Sequence, residues 1–464
     1  MRKTQVTKSP IDNQIYVERP YATDQEADQI IKHAAAAQAD WQSLSLDKRA
    51  EYCHKAVDAM VSNRDDIALE ITHQMGRPIR YSGGEISGFE ERARYMISIA
   101  QSALADIVPE PRAGFERFIE RVPLGVVLTI APWNYPFLTA VNTVIPALMA
   151  GNTVILKHSA QTPLVAERFA QAFAQAGLPE GVFQYLHATH ETVANMIKHP
   201  EVNFVAFTGS VAGGEAIETA AMGLFKNVGL ELGGKDPAYV RADANLPFSI
   251  ENLVDGVYFN SGQSCCGVER IYVHEAIFDS FVEGFTELVK QYVLGNPLEE
   301  STTLGPMVKN SAATFVREQI KEAIEQGAQP LIDTSLFPAD SGDTPYLAPQ
   351  VLVNVNHTMR IMTEESFGPV VGIQSVSSDA EALALMNDSD YGLTASIWTE
   401  DKENAMQLAK QINTGTCFMN RCDYLDPALA WVGIKNSGRG CTLSSVGYEH
   451  LTRPKSFHFR LSSQ

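Results

Sequence analysis

Two adjacent cysteines, Cys265 and Cys266, follow a glycine–glutamine turn in a chain that has only six cysteines among 464 residues. A nucleophilic cysteine needs an accessible sulfur and a lowered pKa, and a turn that leads into a helix N-terminus can supply both. A free cysteine is more often a small buried hydrophobic residue. This segment by itself leaves both interpretations open.

Glu231 stands between two leucines at the end of an apolar run, immediately before Gly233 and Gly234. Burial there would raise its carboxyl pKa toward the range that suits a general base. The alternative is an outward-facing glutamate on an edge strand, which is the commoner role of a lone glutamate.

Two turns that follow apolar runs could present polar groups to a ligand. Asn134 lies between Pro132 and Pro136, which fix the turn, and its side-chain amide could donate to a developing oxyanion. An asparagine that serves only the local turn is the simpler alternative. The glycine-rich segment 207–214 could bring backbone N–H groups close to a pyrophosphate, although it lacks the GxGxxG spacing.

The composition is that of a folded, acidic protein, with 45% hydrophobic residues, 55 acidic against 36 basic side chains and a net charge of −19. This charge argues against a general nucleic-acid or anionic-membrane surface. The six cysteines are too few for a disulfide scaffold and none has CxxC spacing, so no metal site is predicted. The first ten residues lack the apolar segment of a secretion signal, and we expect a cytoplasmic protein with reduced thiols.

The first third of the chain has helical patterns. Thr23 and Glu26 have the spacing of a capping box. The predicted helices begin near Asp24, cover 46–74 with a break near Asn63, and follow Gly84. Alternation of apolar and charged residues over 115–122 predicts a partly exposed strand.

From Val126 onward, short apolar runs alternate with helical patterns. The predicted strands are 126–130, 153–157, 182–186, 204–207 and 228–232, and the predicted helices include 164–175, 278–293 and 314–326. The most apolar stretch, 125–156, is interrupted by prolines and indicates a strand, a helix and a strand rather than a membrane span. This alternation predicts an α/β fold with a parallel sheet, whose sites gather at the carboxyl ends of the strands.

Taken together, these segments resemble the NAD(P)-dependent aldehyde dehydrogenase superfamily over almost the whole chain. Its markers occur in family order: PWNYP at 132–136, LK at 156–157, FTGS at 207–210, ELGGK at 231–235, GQSC at 262–265, EESFGPV at 364–370 and a modified GxKxSGxG at 433–440. The resemblance implies a Rossmann-type dinucleotide-binding domain (1–104 and 125–232), an α/β catalytic domain (233–443) and a small β oligomerisation element (105–124 and 444–464).

The resemblance also implies roles for individual residues. Cys265 is expected to attack the aldehyde carbon, the Asn134 side chain and the Cys265 backbone N–H to hold the oxyanion, and Glu231 to activate the water that hydrolyses the thioester. The residues expected at the cofactor are Trp133, Lys157, Ser159, Ala160, Gly209, Ser210, Gly214, Leu232, Glu365 and Phe367. The residues expected to line the substrate tunnel are Tyr135, Ser264, Leu425 and Trp431.

One departure from the family pattern concerns the cofactor. Ala160 stands where NAD-preferring members usually carry a glutamate that binds the ribose hydroxyls. Because no carboxylate there would repel a 2′-phosphate, NADP is expected to be tolerated alongside NAD and could be preferred. His158 could add positive charge near that phosphate, although an incidental role is more common for a lone histidine.

The expected reaction is oxidation of a small aldehyde to the free acid. The aromatic residues expected in the tunnel suit an apolar or aromatic aldehyde tail, and a semialdehyde such as succinate semialdehyde stays open as an alternative. Arg421 and Asp423 could select charged substrates at the tunnel rim, but solvated loop positions are favoured. The alternatives are a CoA-acylating enzyme, a thiol esterase without redox chemistry, and a non-catalytic protein on the same scaffold. No nucleic-acid or membrane partner is expected, whereas unpaired edges of the strands at 115–122 and 456–460 predict a homodimer or homotetramer.

Overall fold

The computed structural model describes residues 3–462 as an α/β protein built on two largely parallel sheets. Its α-helices, in chain order, are α1 (Asp24–Ser43), α2 (Leu46–Ser62), α3 (Arg64–Met75), α4 (Ile79–Ser82), α5 (Gly84–Ala103), α6 (Pro136–Met149), α7 (Leu164–Gln175), α8 (His190–Lys198), α9 (Val211–Ala221), α10 (Leu246–Tyr258), α11 (Phe278–Val289), α12 (Asn310–Glu325), α13 (Arg360–Thr363), α14 (Asp379–Asn387), α15 (Lys402–Ala409) and α16 (Ser444–His450). Short 3-10 turns cover Phe259–Gly262, Glu275–Ile277 and Thr334–Leu336.

The strands, in chain order, are β1 (Thr4–Lys8), β2 (Ile15–Pro20), β3 (Phe115–Pro123), β4 (Val126–Ala131), β5 (Thr153–His158), β6 (Phe183–Tyr185), β7 (Val202–Thr208), β8 (Asn227–Glu231), β9 (Asp236–Val240), β10 (Val268–His274), β11 (Gln329–Pro330), β12 (Gln350–Val353), β13 (Val370–Val376), β14 (Tyr391–Gly392), β15 (Thr394–Trp398), β16 (Thr416–Met419), β17 (Ile434–Lys435), β18 (Gly438–Arg439) and β19 (Thr452–Arg460).

The first large sheet has the strand order β18-β8-β7-β4-β5-β6 and is parallel apart from β18. Strands β4 and β5 are buried along their whole length, as expected where helices cover both faces of a parallel sheet. The carboxyl ends of parallel strands lie at one edge, which brings Ala131, Thr208 and Glu231 to the same side. The predicted alternation of strands and helices is confirmed here.

The second large sheet has the order β11-β12-β13-β10-β9-β15-β16, with only β11 antiparallel to its neighbour. Strand β9 starts five residues after the end of β8, so the short segment 232–235 joins the two sheets. The turn that contains Cys265 directly precedes β10 in the middle of this second sheet. Glu231 therefore ends a strand of the first sheet, whereas Cys265 precedes a strand of the second sheet.

The helices of the first third agree with the sequence patterns. Thr23 caps α1 by accepting a hydrogen bond from the Glu26 backbone N–H, and Glu26 returns the contact to the Thr23 backbone, which is the predicted capping box. The predicted break falls at Asn63, between α2 and α3, and Gly76 ends α3 with a left-handed backbone (φ 86°). The helix predicted at 164–175 has those bounds.

Three predicted boundaries were wrong. Helix α11 ends at Val289 rather than 293, because the backbone N–H groups of Thr303 and Leu304 bond to the Val293 carbonyl oxygen and draw that segment out of the helix. Helix α12 begins four residues earlier than predicted, at Asn310. Its first residues, Asn310 and Ser311, are polar and lie outside the apolar pattern from which the helix was predicted. The strand predicted at 182–186 is confined to β6.

Strands β3 and β19 form a separate antiparallel pair along their whole lengths. Phe118 and Phe457 stack on one face with ring centroids 4.5 Å apart. The division into domains at residues 104, 124, 232 and 443 stays a prediction, and β18 pairs with β8 of the first sheet. Within residues 3–462, no helix combines the length and the apolar character that crossing a membrane requires.

Candidate active site

A cleft of about 570 Å³ opens at the carboxyl edge of the first sheet. It contains the predicted nucleophile Cys265 and the predicted oxyanion donor Asn134. Six of the predicted cofactor residues line it as well: Trp133, Gly209, Ser210, Leu232, Glu365 and Phe367.

A second cavity of about 310 Å³ lies on the other side of Cys265. Glu231 lines this second cavity, together with the predicted substrate residues Tyr135, Ser264, Leu425 and Trp431. Cys265, Thr208 and Leu232 line both spaces. The thiol therefore lies where a cleft large enough for a cofactor meets a cavity suited to a small substrate.

Asn134 is buried in the turn between β4 and α6, and Pro136 is the first residue of α6. Its Nδ2 donates to the Gln263 carbonyl oxygen at 3.2 Å, close to the cysteine turn. Its own carbonyl oxygen accepts from Arg77 Nη2 at 2.6 Å and from Asn260 Nδ2 at 3.2 Å. The amide thus points toward the Cys265 segment and is held there from both sides.

Arg77, which sequence reasoning missed, joins three segments of the site. Its Nη1 forms a buried ion pair with Glu85 at 2.5 Å, and its Nε donates to Asn260 Oδ1 at 3.1 Å. Glu85 Oε1 in turn accepts from the backbone N–H groups of Phe137 and Leu138 at the start of α6. No sequence motif marks this residue, because its partners Asn134, Asn260 and Glu85 lie in three separate segments that only the fold brings together.

The cysteine turn has an irregular backbone. Asn260 and Ser261 have φ values of 54° and 57° within the 3-10 turn that follows α10. A Cβ atom on Gly262 would overlap the Gly368 carbonyl, so only glycine fits there. The turn that carries Cys265 leads into strand β10 rather than into a helix.

The two cysteines differ in environment. Cys265 is half-buried and lines both cavities, whereas Cys266 is buried and its Sγ lies 3.0 Å from Asp423 Oδ1. The hydrogen bond with Cys265, together with burial, raises the pKa of the Cys266 thiol well above its usual value. Cys266 therefore stays protonated, and Cys265 is the better nucleophile of the pair.

Asp423 is a wall of the second cavity, and the solvated loop position favoured for it was wrong. It accepts from Ser264 Oγ at 2.7 Å, and burial raises the pKa of its carboxyl group. The reason is that the loop after β16 folds back over the cysteine turn. Arg421 is exposed, with its guanidinium 3.5 Å from the centre of the Tyr424 ring, and lines neither space.

Glu231 is held by two threonine hydroxyl groups that the sequence did not reveal as its partners. Thr208, its neighbour across the sheet, donates to Oε2 at 2.8 Å, and Thr442 donates to Oε1 at 2.5 Å. Burial raises the pKa of the Glu231 carboxyl group, which is the effect predicted from its leucine neighbours. A carboxylate tuned in this way suits a general base.

The cleft fits a dinucleotide. Ser210 caps α9 by accepting from the Gly213 N–H, so the positive end of an eleven-residue helix opens onto the cleft, where a phosphate group is favoured. A Cβ atom on Gly209 would lie 2.6 Å from the Phe207 ring, which leaves only backbone at that surface. Trp133 and Phe367 meet edge to face, with ring centroids 5.7 Å apart.

Four predicted cofactor residues do not line the cleft: Lys157, Ser159, Ala160 and Gly214. Lys157 is buried at the end of β5, and burial lowers the pKa of its ammonium group to about 8. Ala160 is exposed, and its carbonyl oxygen accepts from Thr7 of β1. Gly214 packs against the Leu232 side chain instead.

His158 supplies no positive charge, which agrees with the incidental role favoured for it. Its ring is buried, with Nε2 3.0 Å from the Pro136 carbonyl oxygen and Nδ1 3.0 Å from Thr162 Oγ1. Burial lowers the pKa of the ring to about 3, so His158 is neutral at physiological pH.

Comparison with known proteins identifies a family for this arrangement. The family model described as "Aldehyde dehydrogenase family" matches residues 2–457. An aldehyde dehydrogenase of Paenarthrobacter nicotinovorans is 37% identical over 93% of this chain and 94% of its own length, and a succinate semialdehyde dehydrogenase [NAD(P)+] of Escherichia coli K12 is 35% identical over 92% of each chain. The solved structure of an NADP-dependent glyceraldehyde-3-phosphate dehydrogenase from Bacillus halodurans, complexed with NADP, matches with a TM-score of 0.93 at 30% identity, over 99% of this chain and 96% of that one.

Proposed function

This chain belongs to the aldehyde dehydrogenase family and is an NAD(P)-dependent oxidoreductase that acts on aldehydes, and we propose that it forms the free carboxylic acid through a covalent intermediate on Cys265. The observation that carries this proposal is the position of Cys265 at the junction of the cleft and the second cavity. Asn134 lines the first of these spaces and Glu231 the second, so a donor and a base flank the thiol.

In the first half-reaction, the Cys265 thiolate forms a bond with the aldehyde carbon, and the carbonyl oxygen becomes an oxyanion. The Asn134 amide and the Cys265 backbone N–H donate to that oxygen, a contribution worth roughly 3 kcal/mol per donor in well-studied enzymes. Bound NAD(P)+ supplies the hydride acceptor for this chemistry. Loss of hydride from the reacting carbon leaves a thioester on Cys265.

In the second half-reaction, Glu231 takes a proton from water as the water oxygen bonds to the thioester carbon. The carbon–sulfur bond then breaks, which releases the carboxylic acid and restores the Cys265 thiolate. Glu231 returns its proton to solvent before the next turnover. The raised pKa of this carboxyl group suits such exchange near neutral pH.

The alternative reactions explain fewer features of the site. A CoA-acylating enzyme would have no use for a general base, whereas Glu231 faces the second cavity and is held by two hydroxyl groups. A thiol esterase would not need the large cleft that opens beside the sulfur. A non-catalytic scaffold would not require the cysteine, the amide and the carboxylate together.

For the cofactor, we propose that NADP is accepted as well as NAD, with NADP preferred. At the site of the usual ribose-binding carboxylate stands Ala160, which is exposed and adds no negative charge. The positive charge that His158 could have supplied is absent at neutral pH, so this preference rests on the lack of repulsion alone.

For the substrate, we propose an aldehyde that also carries a carboxylate, such as succinate semialdehyde. Arg92 is the cationic residue among those that line the second cavity, and it is buried. Its Nη1 donates to the Leu138 carbonyl oxygen and to Asn142 Oδ1, and among the described residues no carboxylate lies within ion-pair distance of its guanidinium. A substrate carboxylate would supply the missing counter-ion.

We further propose that the enzyme is a homodimer or homotetramer that acts in the cytoplasm. Ile107 bridges the β3 edge at Ile119, but no strand within residues 3–462 pairs with the outer edge of β19. Phe459 and Leu461 are among the exposed apolar residues at the end of β19. All six cysteines are free, which suits a reducing compartment.

The role of Cys265 is testable by replacing each cysteine of the pair. Cys265→Ala should lower aldehyde oxidation, followed at 340 nm with propanal, by about a thousandfold or more, because no other thiol lies at the junction. Affinity for the cofactor should stay close to that of the wild type. Cys266→Ala is the matched control and should keep most of the activity; retained turnover in Cys265→Ala would move the nucleophile elsewhere.

The role of Glu231 is testable by separating the two half-reactions. Glu231→Gln should keep a rapid burst of reduced cofactor but lower the steady-state rate by about 100-fold or more, because the thioester then lacks its base. Stopped-flow absorbance measures both phases. An unchanged steady-state rate would refute the assignment.

Cofactor preference is testable at Ala160. Ala160→Glu should shift the ratio of kcat/KM values toward NAD by about tenfold or more, because the new carboxylate repels a 2′-phosphate. Ala160→Gln, which has the same size without the charge, should leave the ratio near that of the wild type. If the two variants behave alike, this position does not face the ribose.

Substrate charge is testable with succinate semialdehyde, butanal and 4-aminobutanal. Arg92→Gln should lower kcat/KM for succinate semialdehyde by about 10- to 100-fold and leave butanal little changed, because only the charged substrate loses its partner. Arg421→Gln, on the exposed rim, is the control and should have little effect. A wild-type preference for 4-aminobutanal would instead mean that the acidic residues Glu91 and Asp255 on the cavity wall select the substrate.

A further inference from the structure

The carboxylate of Glu231 has open space on two sides. One side is the second cavity, which it shares with Cys265. The other is a third cavity of about 20 Å³, enough for about one water molecule, whose wall includes Thr143, Cys441, Thr442 and His450. Because neither side is filled, packing alone does not fix the direction in which the carboxylate points.

Hydrogen bonds supply the constraint that packing lacks. Each carboxylate oxygen accepts one threonine hydroxyl, Thr208 on Oε2 and Thr442 on Oε1. Among the described residues, no lysine or arginine donates a hydrogen bond to Glu231. Two neutral donors therefore hold the proposed base.

The two threonines differ in what else they touch. Thr208 lines the cofactor cleft and the second cavity, so any change there would also disturb the binding of cofactor and substrate. Thr442 lines neither of these spaces and faces only the third cavity. Its side chain therefore reaches the reaction through Glu231, whereas its link to Trp431 of the second cavity is made by the backbone, which a side-chain substitution keeps.

The backbone around Thr442 is fixed. Its N–H and carbonyl groups pair with the carbonyl and N–H groups of Trp431, at 3.0 Å and 2.9 Å. Just upstream, Gly438 of β18 pairs with Glu231 itself in the first sheet. The segment 431–442 thus contacts Glu231 twice. Gly438 pairs with it in the sheet, and the Thr442 hydroxyl group donates to its carboxylate.

We propose that Thr442 is a positioning residue for the general base, which holds the Glu231 carboxylate in register with the thioester on Cys265. The inference rests on the proposed function, because it assumes that Glu231 activates the hydrolytic water. Thr442 Oγ1 donates to Oε1 throughout, and the remaining lone pairs of the carboxylate take the proton from water. Thioester hydrolysis depends on this contact, whereas hydride transfer does not.

Two substitutions at position 442 separate the effect of the Thr442 hydroxyl group from the effect of its side-chain shape. Thr442→Val keeps the shape but removes the hydroxyl, and Thr442→Ser keeps the hydroxyl. Thr143→Val is the matched control, since Thr143 lines the same cavity but makes no hydrogen bond with Glu231 within the described part of the chain. A structural effect of the valine would appear in both valine variants.

The experiment measures each half-reaction in these variants. Thr442→Val should keep the burst of reduced cofactor and the KM for cofactor, while its deacylation rate, measured directly with p-nitrophenyl acetate, falls by about 10- to 100-fold. The acidic limb of the deacylation pH profile should move to higher pH, because loss of a donor raises the pKa of Glu231. Thr442→Ser and Thr143→Val should resemble the wild type.

Two results would overturn the inference. One is normal deacylation in Thr442→Val; the other is a parallel loss of burst, cofactor affinity and deacylation, which would indicate a structural role.

The variant Glu231→Gln separates failure of the inference about Thr442 from failure of the proposed function. If Glu231→Gln deacylates slowly and Thr442→Val does not, only the role of Thr442 is wrong, whereas normal deacylation in Glu231→Gln would remove the base itself. The double variant should be no slower than Glu231→Gln.

Discussion

The buried ion pair between Arg77 and Glu85 is the contact on which the geometry of the site depends. Its two residues reach the Asn134 carbonyl, the Asn260 side chain and the first turn of α6, and so align the proposed oxyanion donor with the cysteine turn. A buried ion pair adds little net stability, since desolvation of the charges offsets their attraction. Its effect is geometric, because any other arrangement would leave a buried charge without a partner.

Burial acts on the titratable groups of the site in opposite directions. It raises the pKa of Glu231, contributes to the raised pKa of the Cys266 thiol, and lowers the pKa of Lys157. In each case the enclosed space disfavours the charged form. The same enclosure strengthens the hydrogen bonds that Thr208 and Thr442 make to Glu231. These two neutral donors, together with the charge of Arg92, oppose the rise that burial causes in the pKa of Glu231.

Sequence patterns predicted helices well where the apolar pattern extends over several turns and where capping residues or glycines mark the helix ends. The capping box at Thr23 and the break at Asn63 were correct. The patterns gave no information where distant contacts decide the backbone, as at Cys265, whose turn leads into β10 between β9 and β13 of the second sheet. Asp423 failed for a related reason, since no local signal shows that its loop folds over Ser264. Arg77 and Thr442 carried no signal at all, because Asn134, Asn260 and Glu231, which they contact, are far away in the chain and no motif marks the nearer Glu85.

The sequence by itself determined which chemical groups are present and where they stand along the chain. Glu231 and Asn134 each follow an apolar run, whereas Cys265 follows a glycine–glutamine turn. Their expected roles as base, amide donor and nucleophile came from the family resemblance of the whole set of motifs. Only the tertiary structure decided which groups meet, since the thiol and the carboxylate come from different sheets and a separate ion pair fixes the amide. It also decided which charges persist, making His158 a neutral structural residue and burying Arg92 with no carboxylate of the described residues within ion-pair distance. The physical reason is that burial and hydrogen bonding depend on distances in space, which spacing along a chain does not specify.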